Sequence, residues 1–380
     1  MARREARPRK TSIKSTSVAG RDKPQRTGGR AQGKHYSEHE APTAGAVQAG
    51  LPARQAPQLT QLAETPPGGD AWISEIKFDG YRLLVFRTGG QVRILSRNGA
   101  DWTTRLPSLA HAVAQLKVDA AILDGELVVL QPNGISSFAD LQRALSEGHD
   151  SRLFYQVFDL LYLNGWDLRP CRLLDRKKLL AALSDWNGML RYSDHLVGEA
   201  IEMYRHACAK GLEGIVCKRA DSPYRPGRSS AWLKVKCRDR EEFVVLGWTP
   251  PQGHRSGLGS LHVGYYDPSG DLHYAGGVGT GFNTRELSVL RARLDRIPAM
   301  GSQRVLYAGD PLDRTIRWVR PELVAEVEYA GWSGSGRLRH SVFLGIREDK
   351  TVTEVVRQIA DPRAVRTPVG PAAGGASRNR

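Results

Sequence analysis

Lys77 lies between Ile76 and Phe78 in SEIKFDGYRL, residues 74 to 83, and is followed by Asp79-Gly80 and Arg82. An ammonium is poorly solvated among apolar neighbours, and a lysine that sheds its charge there is a nucleophile for phosphorus. A strand lysine whose stem packs on the sheet while its charge reaches water explains the same letters. The choice rests on what else the chain supplies. LDGELVV sets Asp124 and Glu126 two apart, on one face of a strand. LEGIVCK places Glu213 before an apolar run ending in Lys218, and WLKVK puts Lys234 and Lys236 on one face of another strand. Like charges so placed repel unless an anion lies between them. Each stretch alone has an ordinary reading: an exposed hairpin carboxylate, a helix-to-strand junction, an edge strand guarded by lysines.

Together they supply the parts of one reaction. A free lysine has a pKa of about 10.4, so roughly one in 2,500 is neutral at pH 7. Arg82, Lys234, Lys236 and a bound divalent cation would lower that pKa. Glu126 and Glu213 are the candidate ligands of the cation, completed by substrate phosphates. The chemistry is then attack of Lys77 on a nucleotide α-phosphate, with pyrophosphate leaving.

The elements that must position these groups are strand-like runs, YRLLVFR, QVRILSR, AAILDGELVVL and LFYQVFDLLYL, separated by Gly, Asn and Asp turn signals. Helical spacing appears in LLDRKKLLAALSDW and in GEAIEMYRHACAKG, which stops at Gly211. Residues 56–240 therefore read as an α+β domain built on antiparallel sheet. Residues 241–358 hold about five short strands and a helix near NTRELSVLRARLDRI, the pattern of a small OB-type barrel. Residues 1–55, rich in Arg, Lys, Pro, Gly, Ser and Thr, read as a disordered basic tail, and residues 359–380 as a flexible end.

The chain has 380 residues and a net charge of +15, which favours a polyanionic partner, nucleic acid first. No apolar run is long enough to span a bilayer, and the basic N-terminus lacks the apolar core of a secretory signal. The four cysteines form no C-x-x-C pair, an argument against both a zinc site and a disulfide framework, and a reducing cytoplasm is expected. There is no P-loop. GGVGTGF fits no nucleotide fingerprint and reads as a turn, and His340 reads as a barrel-surface group.

With these motifs in order, the sequence resembles the covalent nucleotidyltransferases, which include DNA ligases, RNA ligases and capping enzymes. The likeness covers about residues 58–355. KFDGYR resembles the nucleophile motif, which implies that Lys77 becomes adenylylated and that Arg82 lies on the ribose and phosphate side. SRNG implies Arg97 near the nucleotide or the DNA end, LDGELVV implies Glu126 on ribose and metal, and VFDLLYLNG implies Phe158 stacked on the base. EGIVCK and WLKVK imply Glu213 beside the metal and Lys234 and Lys236 on phosphate. GRLRHSVFLGIREDK resembles the final motif, with Arg347, Asp349 and Lys350 in its R-x-D-K positions. Glu75 falls where DNA ligases carry an acid facing the adenine amino group, which favours ATP over GTP. The nearest likeness is to the ligase module of bacterial ligase D.

The resemblance implies an antiparallel-sheet nucleotidyltransferase domain, ATP-grasp-like, followed by an OB-fold domain. It implies ATP-dependent sealing of nicked duplex or double-strand ends, with magnesium or manganese, by a monomer in the cytoplasm near the nucleoid. A Ku-like end-binding protein is the implied partner. A chain of this length leaves no room for the polymerase and phosphoesterase that many ligase D proteins carry, so end processing is expected from elsewhere. An RNA ligase of the same superfamily and a non-catalytic DNA-binding scaffold are the alternatives.

Overall fold

The computed structural model describes residues 40–357 apart from 149, 238, 252–256, 303 and 310. The basic residues before 40 and the C-terminal end beyond 357 lie outside the described residues.

The chain runs β1 (Val47–Gln48), β2 (Gln58–Leu62), β3 (Trp72–Ile76), β4 (Tyr81–Thr88), β5 (Gln91–Ser96), α1 (Pro107–Ala114) and β6 (Ala120–Val129). It continues with α2 (Phe138–Glu147), β7 (Leu153–Leu163), β8 (Trp166–Asp167), α3 (Leu173–Ala181), β9 (Leu190–Tyr192), β10 (Leu196–Val197), α4 (Ala200–Ala209), β11 (Gly214–Arg219) and β12 (Gly227–Lys236). Two sheets result. One has the order β1-β8-β7-β6-β4-β5 with β9 on β7, the other β10-β3-β11-β12-β2. Most pairs are antiparallel; β12 with β2 and β7 with β9 are parallel.

β7 is buried along nearly its whole length because both of its faces are covered. Val157, Leu160 and Leu163 join a core under α1, α2 and α3, while Phe158, Leu161 and Tyr162 turn toward Trp232 of the second sheet. The two glycines of the KFDG and LDGE motifs have steric reasons. A Cβ on Gly80 would lie 2.1 Å from the Leu127 carbonyl oxygen, and one on Gly125 would lie 2.6 Å from the Tyr155 ring. Only Gly lets these strands pass so close.

The second domain is a barrel of β13 (Asp239–Trp248), β14 (Leu261–Tyr266), β15 (Leu272–Val278), β16 (Val305–Leu306), β17 (Arg317–Trp318), β18 (Val324–Tyr329), the ribbon β19 (Gly331–Trp332) and β20 (Leu338–Arg339), and β21 (Val342–Ile346). Its main sheet runs β16-β15-β14-β13-β18-β21, and a bridge between Thr280, just past β15, and Val342 of β21 helps close it. α5 (Thr284–Leu294), started by an Asn283–Glu286 capping box, packs Leu287, Leu290 and Leu294 into the barrel core. This is the OB-fold architecture.

The structure departs from the sequence reading in three places. Residues 40–55, expected to be disordered, are laid along the sheet edge: Val47 pairs with Asp167, Gln48 with Trp166, and the Tyr162 hydroxyl donates to the Ala49 carbonyl at 2.8 Å. Backbone pairing secures a segment too poor in apolar residues to fold alone. α1 and α2 interrupt what read as continuous sheet; each buries only two or three apolar side chains. Finally, Cys208 and Cys237 form a disulfide, with Cα atoms 5.1 Å apart, while Cys171 and Cys217 are free and buried. Sequence spacing could not report it, because the pairing depends on α4 ending beside the end of β12.

Candidate active site

Strand register assembles the centre. β3 and β12 flank β11, so Glu75, Val216 and Lys234 lie in one row across the sheet, and Lys236 pairs with Gly214 two rows on. β3 ends at Ile76 opposite Ile215, and the Lys77 N–H donates to the Gly214 carbonyl at 3.0 Å. That brings the Lys77 ammonium onto the Glu213 Oε1 in an ion pair. In the other sheet, Arg82, Glu126 and Gln156 share a row, and Arg82 also grips Asp124 with two N–H groups. The sheets face each other across a cavity of about 180 Å³, lined by every residue assigned a site role in the sequence, whereas Asp124 does not line it. Arg347 and Lys350 enter from the barrel.

Asp124 is completely buried, so the exposed hairpin carboxylate is not what the strand holds; it accepts from Arg82 and from the Tyr224 hydroxyl, and supports Arg82 from behind. Lys234 and Lys236 sit on an interior strand, not an edge. Arg347 donates to both Asp349 oxygens at 2.8 Å, to Glu326 at 3.0 Å and, across to the first domain, to the Gly80 carbonyl at 3.3 Å. Its guanidinium lies 4.4 Å from the Phe138 ring centroid. Lys350 donates to Glu242 at 2.9 Å. Arg97 has a distant Glu354 at 4.0 Å.

The protonation of Lys77 is opposite to the expectation. Burial works to lower its pKa, but Glu213, Asp79 and Glu126 outweigh burial and raise it above the ordinary lysine value. Lys77 is therefore an ammonium paired with Glu213. Cations do depress Lys234: burial and then Lys236 push it well below the usual lysine value. Burial pushes Glu126 up to about 7.

Sequence reading missed several lining residues. Asp79, read only as a turn signal, accepts from the Phe138 N–H at 3.2 Å, which starts α2, and from Arg240 of β13. Arg240 stood in the charge run RDREE and carried no signal beyond a solvated face. Arg228, Glu242 and Glu326 also line the cavity.

The residues fit a divalent cation. Glu213 keeps Oε2 buried without a hydrogen-bond partner, and burial raises Glu126 against the pull of Arg82, Lys77 and Arg347. Among the described residues no cluster of three or more His, Cys, Asp or Glu forms a self-sufficient metal cage. A hard cation here needs phosphate and water oxygens as well.

Known proteins share this arrangement. A family profile described as "ATP dependent DNA ligase domain" matches residues 55–236, and one described as "ATP dependent DNA ligase C terminal region" matches residues 254–350. The chain belongs to the ATP-dependent DNA ligase family. Among ligase relatives, the multifunctional non-homologous end joining protein LigD of Pseudomonas aeruginosa is 42% identical over 309 residues, covering 80% of this chain and 37% of that protein. The LigD of Mycobacterium tuberculosis is 41% identical over 289 residues, with 76% and 37% covered. The chain thus spans about a third of the length of these relatives. A solved mycobacterial DNA ligase D complexed with ATP and MES is 38% identical, with a TM-score of 0.60, and the match covers 80% of this chain and 98% of that one. Within the described residues of this ligase, no helix is long and apolar enough to cross a membrane.

Proposed function

We propose that the protein seals breaks in DNA in three steps, using ATP and a lysyl-AMP intermediate. The observation that carries this reading is the ion pair of Lys77 and Glu213 inside a cavity lined by cations from both domains. In the first step the Lys77 Nζ forms a P–N bond to the α-phosphorus of ATP, and the bond from that phosphorus to the pyrophosphate oxygen breaks. AMP then passes to a 5′-phosphate of DNA, releasing the Lys77 amine. The 3′-hydroxyl oxygen attacks that phosphate, joins the strand and expels AMP.

The chain's own residues divide this work. Lys77 must release its proton before attack, and Glu213 must let it go. Lys234, Lys236, Arg347 and Lys350 carry fixed positive charge toward phosphate oxygens, where charge builds as bonds break. Arg82 and Arg97 serve the ribose and phosphate side, Phe158 the base, and Glu75 the adenine amino group. Glu126 and Glu213 would hold magnesium or manganese, which supplies Lewis-acid polarisation of phosphate oxygens. The arm before residue 40 would add DNA affinity through phosphate contacts.

The likeness to the non-homologous end joining protein LigD supports a role in that repair, and the partner proposed at double-strand ends is a Ku-like protein. The enzyme acts as a monomer in the cytoplasm, associated with the nucleoid. The test is adduct formation with radiolabelled ATP, followed by sealing of nicked and blunt DNA, with DNA or RNA 3′-strands, with and without a candidate Ku. No adduct, or sealing confined to RNA, refutes the reading.

A further inference from the structure

Glu75 is almost completely buried at the floor of the nucleotide cavity, yet both of its oxygens are already held by cations. Lys218 of β11 donates to Oε2 at 2.8 Å, and the Ser193 hydroxyl donates to the same oxygen at 3.2 Å. Lys177 of α3 donates to Oε1 at 2.7 Å. The lysines differ in where they stand. Lys218 lines the cavity, with its ammonium against the Phe158 and Trp232 rings at 4.2 and 4.3 Å. Lys177 does not reach the cavity. Its stem comes from the helix behind the sheet, and its remaining contacts are the Ser193 carbonyl at 2.8 Å and the Tyr192 ring at 4.7 Å.

A carboxylate offers about four acceptor positions, of which these donors use three. The free one is on Oε1, the oxygen Lys177 holds. A buried, ionised carboxylate with one fixed vacancy suits a donor such as the 6-amino group of adenine, and opposes the O6 acceptor of guanine. If Lys177 were absent, Glu75 would rest on Lys218 and Ser193 alone, free to rotate or take up a proton.

We propose that Lys177 is a positioning residue for purine selection: from outside the cavity it keeps Glu75 ionised and oriented with one acceptor position open to the 6-amino group. This rests on the reading of Glu75 as the adenine contact. α3 belongs to none of the nucleotide motifs, so its lysine would otherwise pass for a structural ion pair.

The test uses the full chain and follows Lys77 adenylylation with ATP, with purine riboside triphosphate, which lacks the 6-amino group, and with GTP. In the wild type, loss of the amino group should raise KM by about ten- to a hundredfold, as for a hydrogen bond to a charged group. In Lys177→Met, KM for ATP should rise to that of purine riboside triphosphate, which itself changes little. The gap to GTP should narrow, and kcat at saturation should change far less than KM. Lys177→Gln, which keeps a donor toward Ser193, should show the same merging if the methionine variant does not fold, and Lys177→Arg should restore part of the distinction. If either folded neutral variant still separates the two nucleotides by the wild-type ratio, the lysine is structural and the inference falls. If the wild type itself ignores the 6-amino group, the Glu75 reading falls first.

Discussion

Arg347→Ala should injure the first step of ligation far more than the last. Arg347 is 8% exposed and is the barrel residue that donates to the Gly80 carbonyl and stacks against Phe138 of the first domain. A hydrogen bond from a charged group is worth ~1.5–3 kcal/mol, and a cation against an aromatic face ~0.5–2 kcal/mol. Losing both removes ~2–5 kcal/mol of preference for the barrel lying over the nucleotide cavity rather than swung away from it, which at ~1.4 kcal/mol per tenfold is about 30- to 3,000-fold in the ratio of closed to open forms. Within the barrel the same change removes the arginine that Asp349 and Glu326 share. The assay pairs single-turnover AMP transfer from labelled ATP with sealing of a chemically pre-adenylylated nick, on one preparation with a melting curve. AMP transfer should fall by up to the factor above and sealing by less than about tenfold. Lys350→Ala, whose ammonium pairs with Glu242 inside the barrel, should slow AMP transfer without changing the closed population. Equal losses in both assays for Arg347→Ala, at unchanged melting temperature, would refute the reasoning.

Lys77→Ala and Lys77→Arg should both fail to form the AMP adduct on a denaturing gel while melting normally, because a guanidinium stays protonated. In chelator, Glu126 binds more protons folded, at about 7, than unfolded, where an ordinary glutamate titrates near 4.5. Stability should therefore fall as pH rises between those values, and Glu126→Gln should flatten part of that slope in urea titrations. Truncation to residue 40 should weaken DNA binding and its salt dependence without lowering the melting temperature, whereas truncation to residue 56 should also destabilise the protein by removing the β1–β8 pairing.

The site was legible because its residues sit in short motifs whose neighbours leave little choice. LDGE sets two acids on one face of a strand, and alternation along WLKVK sends both lysines to one face. Strong periodicity likewise announced α3, α4 and α5. What failed to show was whatever depends on pairing between distant segments. Lys77 looked like an amine depressed by cations because Arg82 and the two strand lysines are near it in type; register instead sets Glu213 against it. Arg240 lies 161 residues from the Asp79 it contacts, and its charged neighbours made it look solvated. The arm at 40–55 has no apolar pattern, and its order comes from an edge strand supplied more than a hundred residues later.

The Cys208–Cys237 bond draws a boundary through the cavity. Glu213, Lys218, Arg228, Lys234 and Lys236 all fall within the covalent ring it closes, whereas Lys77, Arg82, Glu126 and Phe158 lie outside. Lys77 and the lysines of β12 thus belong to topologically separate parts of one chain, joined by strand pairing and by side-chain contacts such as the Lys77–Glu213 ion pair. Closing a ring of that size restricts the unfolded chain by ~3.6 kcal/mol in the chain-entropy treatment, so a thiol reductant should lower the melting temperature. A protease cut in the turn between β11 and β12 should leave both fragments travelling together on a gel until that reductant is added.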